Sequence, residues 1–489
     1  MPEETKRGCV GRPQSSAIDG SVNIICSQSI VERDDPSDSR EFMSSSVYND
    51  FDSDIGTLKS VAVDGGEKSF SFSGGLILSC LGCVLGTGNI WRFPRVLAST
   101  SSAGGSLTFI LAWVFFLFTW SIPLVITEYT MGRFTRGSPL TSFYKFLGRK
   151  FIWVGAWVTA VAFFISAYFS VVVGWCFYYF YLACAQPVLP ESPTESAEIF
   201  RWFTASYYPL LMHTIGLVIC GVCVFWGVKG IEIANSCLVP LQLFIVLFTF
   251  SWSLTREYAD VGIQFMFTPS WHTLADPKLY VEAACQNAFD TAAGMGLFSA
   301  YAAYFTRKTS AVRYGILVCG LMLFATVFST LISTEPTLTI PQIVDIMKDT
   351  GPGSTGLTFT WIPVLMAKLG VFGRVLCGLF FLCLSFAGIT SMISYIELTA
   401  RTIQDFGVKR TYATIASLIV TFLVGVPSAI DLRVLTNQDF VWGFALMISG
   451  LCYCFLVIRY KPMRYRKVIV NDFGIGDLKL RIPWVALMT

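Results

Sequence analysis

Charge is what this chain has least of. Asp, Glu, Lys and Arg make up 14% of its 489 residues, where an ordinary soluble domain carries about 25%. Hydrophobic residues reach 54% and the mean hydropathy is +0.61, which excludes a soluble globular domain of the usual kind. Histidine is nearly absent, at two residues. The fifteen cysteines are scattered rather than grouped at metal-ligand spacing. Most sit in apolar runs, where a thiol behaves as a small hydrophobe. A metal enzyme is therefore not expected, and no nucleophile–base pairing or cofactor motif suggests another kind of enzyme. The chain has no Asn-x-Ser/Thr sequon and opens with no signal-peptide pattern. Its net charge of +3 says little by itself, and no nucleic-acid partner is expected. The placement of the charges carries the information.

What the chain does have is a series of long apolar runs. Residues 1–69, rich in Ser, Asp and Gly with few aromatics, read as a disordered cytoplasmic tail. Ser44, Ser45 and Ser46 are candidate phosphosites there, or part of a solvated spacer. With about 20 residues as the length that crosses a bilayer, hydrophobic segments fall at 73–99, 105–131, 151–184, 209–227, 231–254, 280–305, 313–333, 373–403, 411–427 and 439–459. These ten predicted helices make a transmembrane core over 70–460. Residues 461–489 read as a cytoplasmic segment and the start of an eleventh helix, as in a truncated isoform or a fragment. Basic residues gather in one set of loops: Arg133, Arg136, Lys145, Arg149 and Lys150; Lys229; Arg307, Lys308 and Arg313; Arg401, Lys409 and Arg410; then Arg459, Lys461, Arg464, Arg466 and Lys467. An opposite loop is acidic, with Glu191, Glu195 and Glu198. That bias places the N-terminus and the 460–480 region in the cytoplasm. The long 334–372 loop then faces outside, with helix-like pieces near 340–347 and 361–368.

Two segments are interrupted by glycine: the first at Gly82, Gly86 and Gly88, the sixth at Gly294-Met295-Gly296. Two halves of five helices, 73–255 and 279–460, place each break at the start of its half, and the odd number inverts one half relative to the other. Paired breaks of this kind point to the binding site of a transporter. A helix broken at membrane depth leaves carbonyls without partners, at several kcal/mol each, unless protein, water or an ion takes them. The other reading of the glycines is a close helix–helix contact, against which Asn89 and Arg92 weigh. At the first break, Gly82 and Leu85 can offer carbonyls to one cation, and the Val84 carbonyl with the Asn89 side-chain oxygen to a second. Arg92 lies about a turn beyond, near the outer mouth, where an intramembrane charge needs a partner. Asp439 is available, and snorkelling to the interface is the alternative. In the eighth segment Ala387, Thr390 and Ser391 share a face and form a hard-oxygen cluster suited to Na⁺, or else ordinary hydroxyl bonding to the preceding turn. In the sixth, Asp290 is a carboxylate at the midplane, costly and functional by default. A cation, a proton or a substrate amine is its expected partner.

The run Gly86-x-Gly88-Asn89-x-Trp91-Arg92-Phe93-Pro94 closely resembles the first-helix signature of the neurotransmitter:sodium symporters. Glu128-Tyr129-x-Met131-Gly132-Arg133, Lys229-Gly230-Ile231-Glu232-x-Ala234-Asn235 and Phe265-x-Phe267-x-Pro269 also resemble family motifs, and the similarity runs from about residue 70 to 489. It implies an all-α polytopic membrane protein with the inverted five-plus-five repeat of bacterial leucine transporters, although family members commonly have twelve helices. It implies a complete second-sodium site from the backbone of Gly82, Leu85 and Ala387 and the hydroxyls of Thr390 and Ser391. Arg92 and Asp439 match the outer gate, and Phe289 matches the aromatic lid over the substrate. The first-sodium site departs: Val84 and Asn89 remain, but Asp290 replaces a Thr/Ser and Met322 an Asn. Phe169 stands where relatives have a carboxylate-binding tyrosine, with Tyr168 just before it. Gly86 stands where monoamine carriers have an Asp. The short 185–208 loop is more similar to the bacterial branch, or to an early-diverging eukaryotic member, than to animal neurotransmitter carriers.

Chloride-dependent relatives surround the anion with a Tyr, a Gln and two Ser. Here Gln286 matches, while Leu111, Asp290 and Thr326 hold the other positions. A fixed carboxylate at 290 would supply the anion's charge, so chloride-independent transport is expected. It would also make transport pH-sensitive, or let K⁺ or H⁺ substitute, since burial disfavours a charged carboxylate and a cation favours it.

Between the breaks, Cys83, Gly86, Ile165, Phe169, Phe289, Ala292, Met295, Ser391 and Tyr395 are expected to line the substrate pocket, although such side chains also serve as core packing. The pocket is mostly apolar. The expected function is sodium-coupled symport of a small organic solute, a neutral amino acid or related zwitterion, across a bilayer and in the plasma membrane. The alternative is a non-transporting homologue acting as a regulatory or trafficking partner. Oligomeric state is left open.

Overall fold

An apolar run in a bilayer must satisfy every backbone N–H and C=O within itself, and a helix does so. The regular elements among the described residues are accordingly all helices. The computed structural model describes residues 70, 73–86, 88–101, 105–186, 188–255, 259–306, 308–317 and 357–482. The N-terminal tail, most of the seventh segment with Met322 and Thr326, the 340–347 piece and residues 483–489 lie outside them.

In chain order the helices are α1 (Ser73–Val84), α2 (Gly88–Thr100), α3 (Leu107–Thr135), α4 (Pro139–Leu147), α5 (Ile152–Ala185) and α6 (Pro193–Ala205). Then follow α7 (Tyr208–Phe225), α8 (Val228–Ser253), α9 (Ala259–Phe267), α10 (Pro277–Thr291) and α11 (Leu297–Ala302). Residues 311–317 form α12. The remainder are α13 (Ile362–Ala367), α14 (Gly370–Gln404), α15 (Arg410–Ile430) and α16 (Leu432–Arg459).

Seven of these are long and apolar enough to cross a membrane: α3, α5, α7, α8, α14, α15 and α16. The first expected segment is instead the pair α1–α2, bent by 55° where the chain leaves helix between them. The sixth is α10 and α11 with a break between. Near α11, α3 carries Gly132 at a point where an added Cβ would fall 2.3 Å from the Ser299 carbonyl oxygen, so only glycine permits the approach.

Burial sorts centre from rim. The most apolar window of α14 is 78% buried and that of α8 only 33%. On α8, α15 and α16 the outer faces carry Phe244, Leu423 and Phe440, all more than half exposed. Such faces suit hydrocarbon rather than water.

The 185–208 loop is not irregular. It holds α6, opened by Ser192, whose hydroxyl accepts from the Glu195 N–H, and the Ser192-Pro193-x-Glu195 spacing is the sequence mark of such a start. The 361–368 piece is α13, preceded by a π-helical turn at Leu357–Trp361.

Candidate functional site

The first break determines the site. Helix α1 ends at Val84 and α2 begins at Gly88, so the last carbonyls of α1 lose their partners one turn on. Three carbonyls at this break are met by side chains. The Gly82 carbonyl accepts from the Ser391 hydroxyl of α14 at 3.3 Å. The Val84 carbonyl accepts from Asn89 Nδ2 at 2.8 Å. The Leu85 carbonyl accepts from Gln242 Nε2 of α8 at 2.8 Å. On α14 the Thr390 hydroxyl donates to the Ala387 carbonyl at 3.0 Å. Gly82, Ala387, Thr390 and Ser391 thus meet across the α1–α14 contact, and all their converging groups are oxygens. The Gln242 contact at Leu85 was not foreseen: an amide in an apolar helix does not say which neighbour it meets.

The second break follows α10. Ala292 adopts a left-handed backbone with φ 54°, a conformation that costs an L residue about 1–2 kcal/mol. Gly294 (φ 90°) and Gly296 (φ 79°) then carry the turn at less cost. Glu128 of α3, fully buried, accepts the freed Gly294 N–H at 2.7 Å. The EYxMGR motif therefore holds the break in place.

Asp290 does not join Val84 and Asn89. Phe289 and Ala292 face the cavity, and Asp290 sits a further 100° round the helix, turned toward α3. Its Oδ2 accepts from Trp113 Nε1 at 3.1 Å and its Oδ1 from Gln286 Nε2 at 2.7 Å. Gln286 Oε1 in turn accepts from an Arg92 terminal nitrogen at 2.6 Å. Of the first-site set, the structure brings together Val84 and Asn89 and ties Asp290 elsewhere. The α3 donor at the carboxylate is Trp113 rather than position 111. Leu111, about 200° away on the helix, is 46% exposed. A π-helical turn at Leu117–Ser121 adjoins this cluster, and its Ser121 hydroxyl donates to Asn287 Oδ1.

Between the breaks lies a cavity lined by every expected pocket residue except Met295: Cys83, Gly86, Ile165, Phe169, Phe289, Ala292, Ser391 and Tyr395. Val84, Gly88, Asn89, Tyr168, Arg92 and Asp439 complete its wall. Met295 stands behind Tyr395, whose hydroxyl reaches its sulfur at 3.1 Å. Cys83 Sγ and the Tyr301 hydroxyl each lie 3.0 Å from Ser394 Oγ. The N-terminus of α2 and the C-terminal end of α1 both open on this space. A helix N-terminus favours negative charge and a C-terminus positive charge, so the break presents both ends of a dipole to one ligand.

One side of this cavity is closed by Arg92. Its Nε lies 3.9 Å from Asp439 Oδ2, and its guanidinium sits 4.5 Å over the Phe289 ring. The Tyr168 hydroxyl donates to Asp439 Oδ1 at 3.1 Å. The tyrosine beside Phe169 is thus committed to the gate carboxylate. Toward the loops that carry the basic residues, Glu397 accepts from Arg410 and from the Tyr304 hydroxyl.

The family model for the sodium:neurotransmitter symporters matches residues 68–197 and 204–476. The chain belongs to this family, and is an integral multi-pass membrane protein of the sodium-dependent transporter class. An uncharacterized sodium-dependent transporter of Methanocaldococcus jannaschii is 29% identical over 447 residues, covering 86% of each chain. A sodium-dependent neutral amino acid transporter of Mus musculus is 28% identical over 287 residues, covering 52% of this chain and 38% of its own. The crystal structure of MhsT in complex with L-phenylalanine superposes with a TM-score of 0.75 at 23% identity, covering 86% of this chain and 96% of that one. At that identity the likeness speaks for the fold.

Proposed function

We propose that the protein is a symporter in which inward Na⁺ flow drives a small neutral amino acid, or a related zwitterion, through alternating access about the two breaks. The observation that carries this reading is the meeting of α1 and α14. There the Ser391 hydroxyl bonds the Gly82 carbonyl and the Thr390 hydroxyl the Ala387 carbonyl, a group of uncharged oxygens that suits a hard cation. The substrate class follows from the cavity. Its wall is mostly apolar, the N-terminus of α2 at Gly88 suits a carboxylate, and the carbonyl end of α1 suits an ammonium. A Cβ at Gly88 would meet nothing within 4 Å, so a ligand has room beside that helix start. Relatives whose names specify neutral amino acids, and a related fold bound to phenylalanine, accord with this choice.

Transport is chloride-independent, because Asp290 places a carboxylate where Gln286 would otherwise hold an anion. The chain runs as two inverted halves, 73–255 and 279–460, in the plasma membrane with its N-terminus in the cytoplasm.

The test is uptake of radiolabelled amino acids into proteoliposomes under an imposed sodium gradient, with sodium-dependent thermal stabilisation of the purified protein beside it. Apolar amino acids are expected to accumulate with Na⁺ and not with choline. Thr390→Ala/Ser391→Ala is expected to lose both signals. Stabilisation by Na⁺ without uptake of any solute would favour a non-transporting homologue, and absence of both would defeat the sodium-coupled reading.

A further inference from the structure

Helix α8 carries a polar stripe inside an apolar span. Glu232, Asn235 and Gln242 recur at intervals of three and seven, so they share one face, and all three are buried. That face lies against α1. A Cβ on Gly75 would fall 2.4 Å from Glu232 Oε1, and one on Gly82 would fall 2.7 Å from Asn235 Oδ1. Gln242 holds the Leu85 carbonyl. The three residues therefore track α1 from its first turn to its broken end.

Asn235 is the exception among them. It is fully buried, yet neither Oδ1 nor Nδ2 has a hydrogen-bond partner among the described residues. Interiors rarely leave such an amide unused, and each exception asks for an explanation. Its position offers one. The point 2.7 Å from Asn235 Oδ1 is also 3.1 Å from Thr390 Cβ, and the Gly82 carbonyl itself reaches Ser391. An amide oxygen without a donor stands beside the cluster of carbonyls and hydroxyls that the proposed sodium occupies.

We propose that Asn235 supplies a further oxygen to the cation at this second site, beyond Gly82, Leu85, Ala387, Thr390 and Ser391. The inference rests on the sodium-coupled reading above. A hard cation accepts an amide oxygen as readily as a backbone carbonyl, and a water beside the ion satisfies Nδ2. The added ligand comes from α8, so sodium would hold three helices together, α1, α8 and α14, rather than two. It follows that α8 separates from α1 more readily when the ion has left.

The experiment measures thermal unfolding of the purified full-length protein against NaCl, with choline chloride holding ionic strength. Asn235→Leu keeps the branched shape, with some added volume, and removes the oxygen. It is expected to raise the half-saturating Na⁺ about tenfold or more while leaving the sodium-free midpoint unchanged or higher, since it removes a buried amide that lacks partners. A merely structural amide would not move the two readings in opposite directions. Asn235→Ser, smaller and still polar, is expected to show the same weakened response and serves if the leucine variant does not fold. Asn235→Asp, with a full charge at the ion, is expected to lower the half-saturating Na⁺. Half-saturation within twofold of the unaltered protein in both Asn235→Leu and Asn235→Ser would overturn the proposal. If those variants respond normally while Thr390→Ala/Ser391→Ala does not, this proposal alone falls. If the unaltered protein gains no stability from Na⁺, it falls together with the sodium-coupled reading.

Discussion

Replacing Asp290 tests the proposed chloride independence most directly. The carboxylate accepts from Gln286 at 2.7 Å and from Trp113 at 3.1 Å, with almost no exposure. Hydrogen bonds to a charged group contribute about 1.5–3 kcal/mol each. Asp290→Asn preserves the shape but offers one acceptor to two donors, so either the Gln286 or the Trp113 N–H is orphaned in the interior. The cost is about 1–3 kcal/mol, seen as a lower thermal midpoint. Asp290→Ser goes further, because it vacates the volume of the carboxylate and leaves two donors facing the space, with Arg92 reaching it through Gln286. A small anion fits that vacancy by charge and by donors. The assay is sodium-driven uptake in proteoliposomes with chloride or gluconate as the balancing anion. The unaltered protein is expected to transport equally in both. Asp290→Ser is expected to fall about tenfold or more in gluconate, equivalent to about 1.4 kcal/mol, and to recover with chloride. Uptake by the unaltered protein that collapses in gluconate would refute the reasoning, as would a serine variant indifferent to the anion. The pH dependence of uptake is expected to flatten in Asp290→Asn, since the titratable group has gone.

Asp439→Asn removes the charge opposite Arg92 while leaving the Phe289 stacking and the Gln286 contact. Uptake is expected to fall about tenfold or more with sodium-dependent thermal stabilisation retained, because the proposed gate and not the proposed ion site has changed. Gly294→Ala combines an unfavourable φ of 90° with a Cβ only 3.0 Å from the Gly450 amide nitrogen, and should destabilise by more than the roughly 1–2 kcal/mol of left-handed strain alone. Gly476→Ala, with φ 76° but open space around it, isolates that strain in the same thermal-unfolding measurement. Asp477→Asn breaks the buried pair with Arg133 at 3.1 Å, where the same carboxylate oxygen also accepts the Val312 N–H. Loss of a buried pair costs about 3–5 kcal/mol, so this variant is expected to melt well below the unaltered protein even though it lies far from the cavity.

The parts of this molecule that could be read in advance are those whose physics is local. Glycines at 294 and 296 mark a broken helix because a backbone that must turn inside a membrane needs their freedom, those at 86 and 88 mark the other, and the breaks lie where those residues stand. Thr390 and Ser391 share a face with Ala387 by helical spacing alone. Asp290 follows Phe289 and stands about 100° round α10 from it, but that it meets Trp113 and Gln286 rather than Val84 and Asn89 is not given by helical spacing. Other features depend on which helix lies opposite. Asn235 and Gln242 sit in a run of α8 whose apolar neighbours give no sign of what either amide meets, and Trp113 reads as one more aromatic of a hydrophobic span. Once α1 is laid against α8, Gln242 becomes the cap of a freed carbonyl and Asn235 an oxygen without a donor beside an expected cation.

That contrast sets where variation in such a protein can be accommodated. Backbone approach constrains particular glycines at and beside the second break, since a Cβ at 294, or at 132 on α3, meets backbone atoms. The side chains that complete the break come from other helices, and each fills its place by what it can donate or accept. The carboxylate at 290, the indole at 113 and the amide at 286 form one such set, in which a change at one position alters what the other two require. The outcome of a substitution at one of these positions should therefore depend on what stands at the other two. Asp290→Ser alone should respond to chloride, while Asp290→Ser with Gln286→Leu should not, because one of the two donors to the anion and the link through it to Arg92 are then gone together, leaving Trp113 alone.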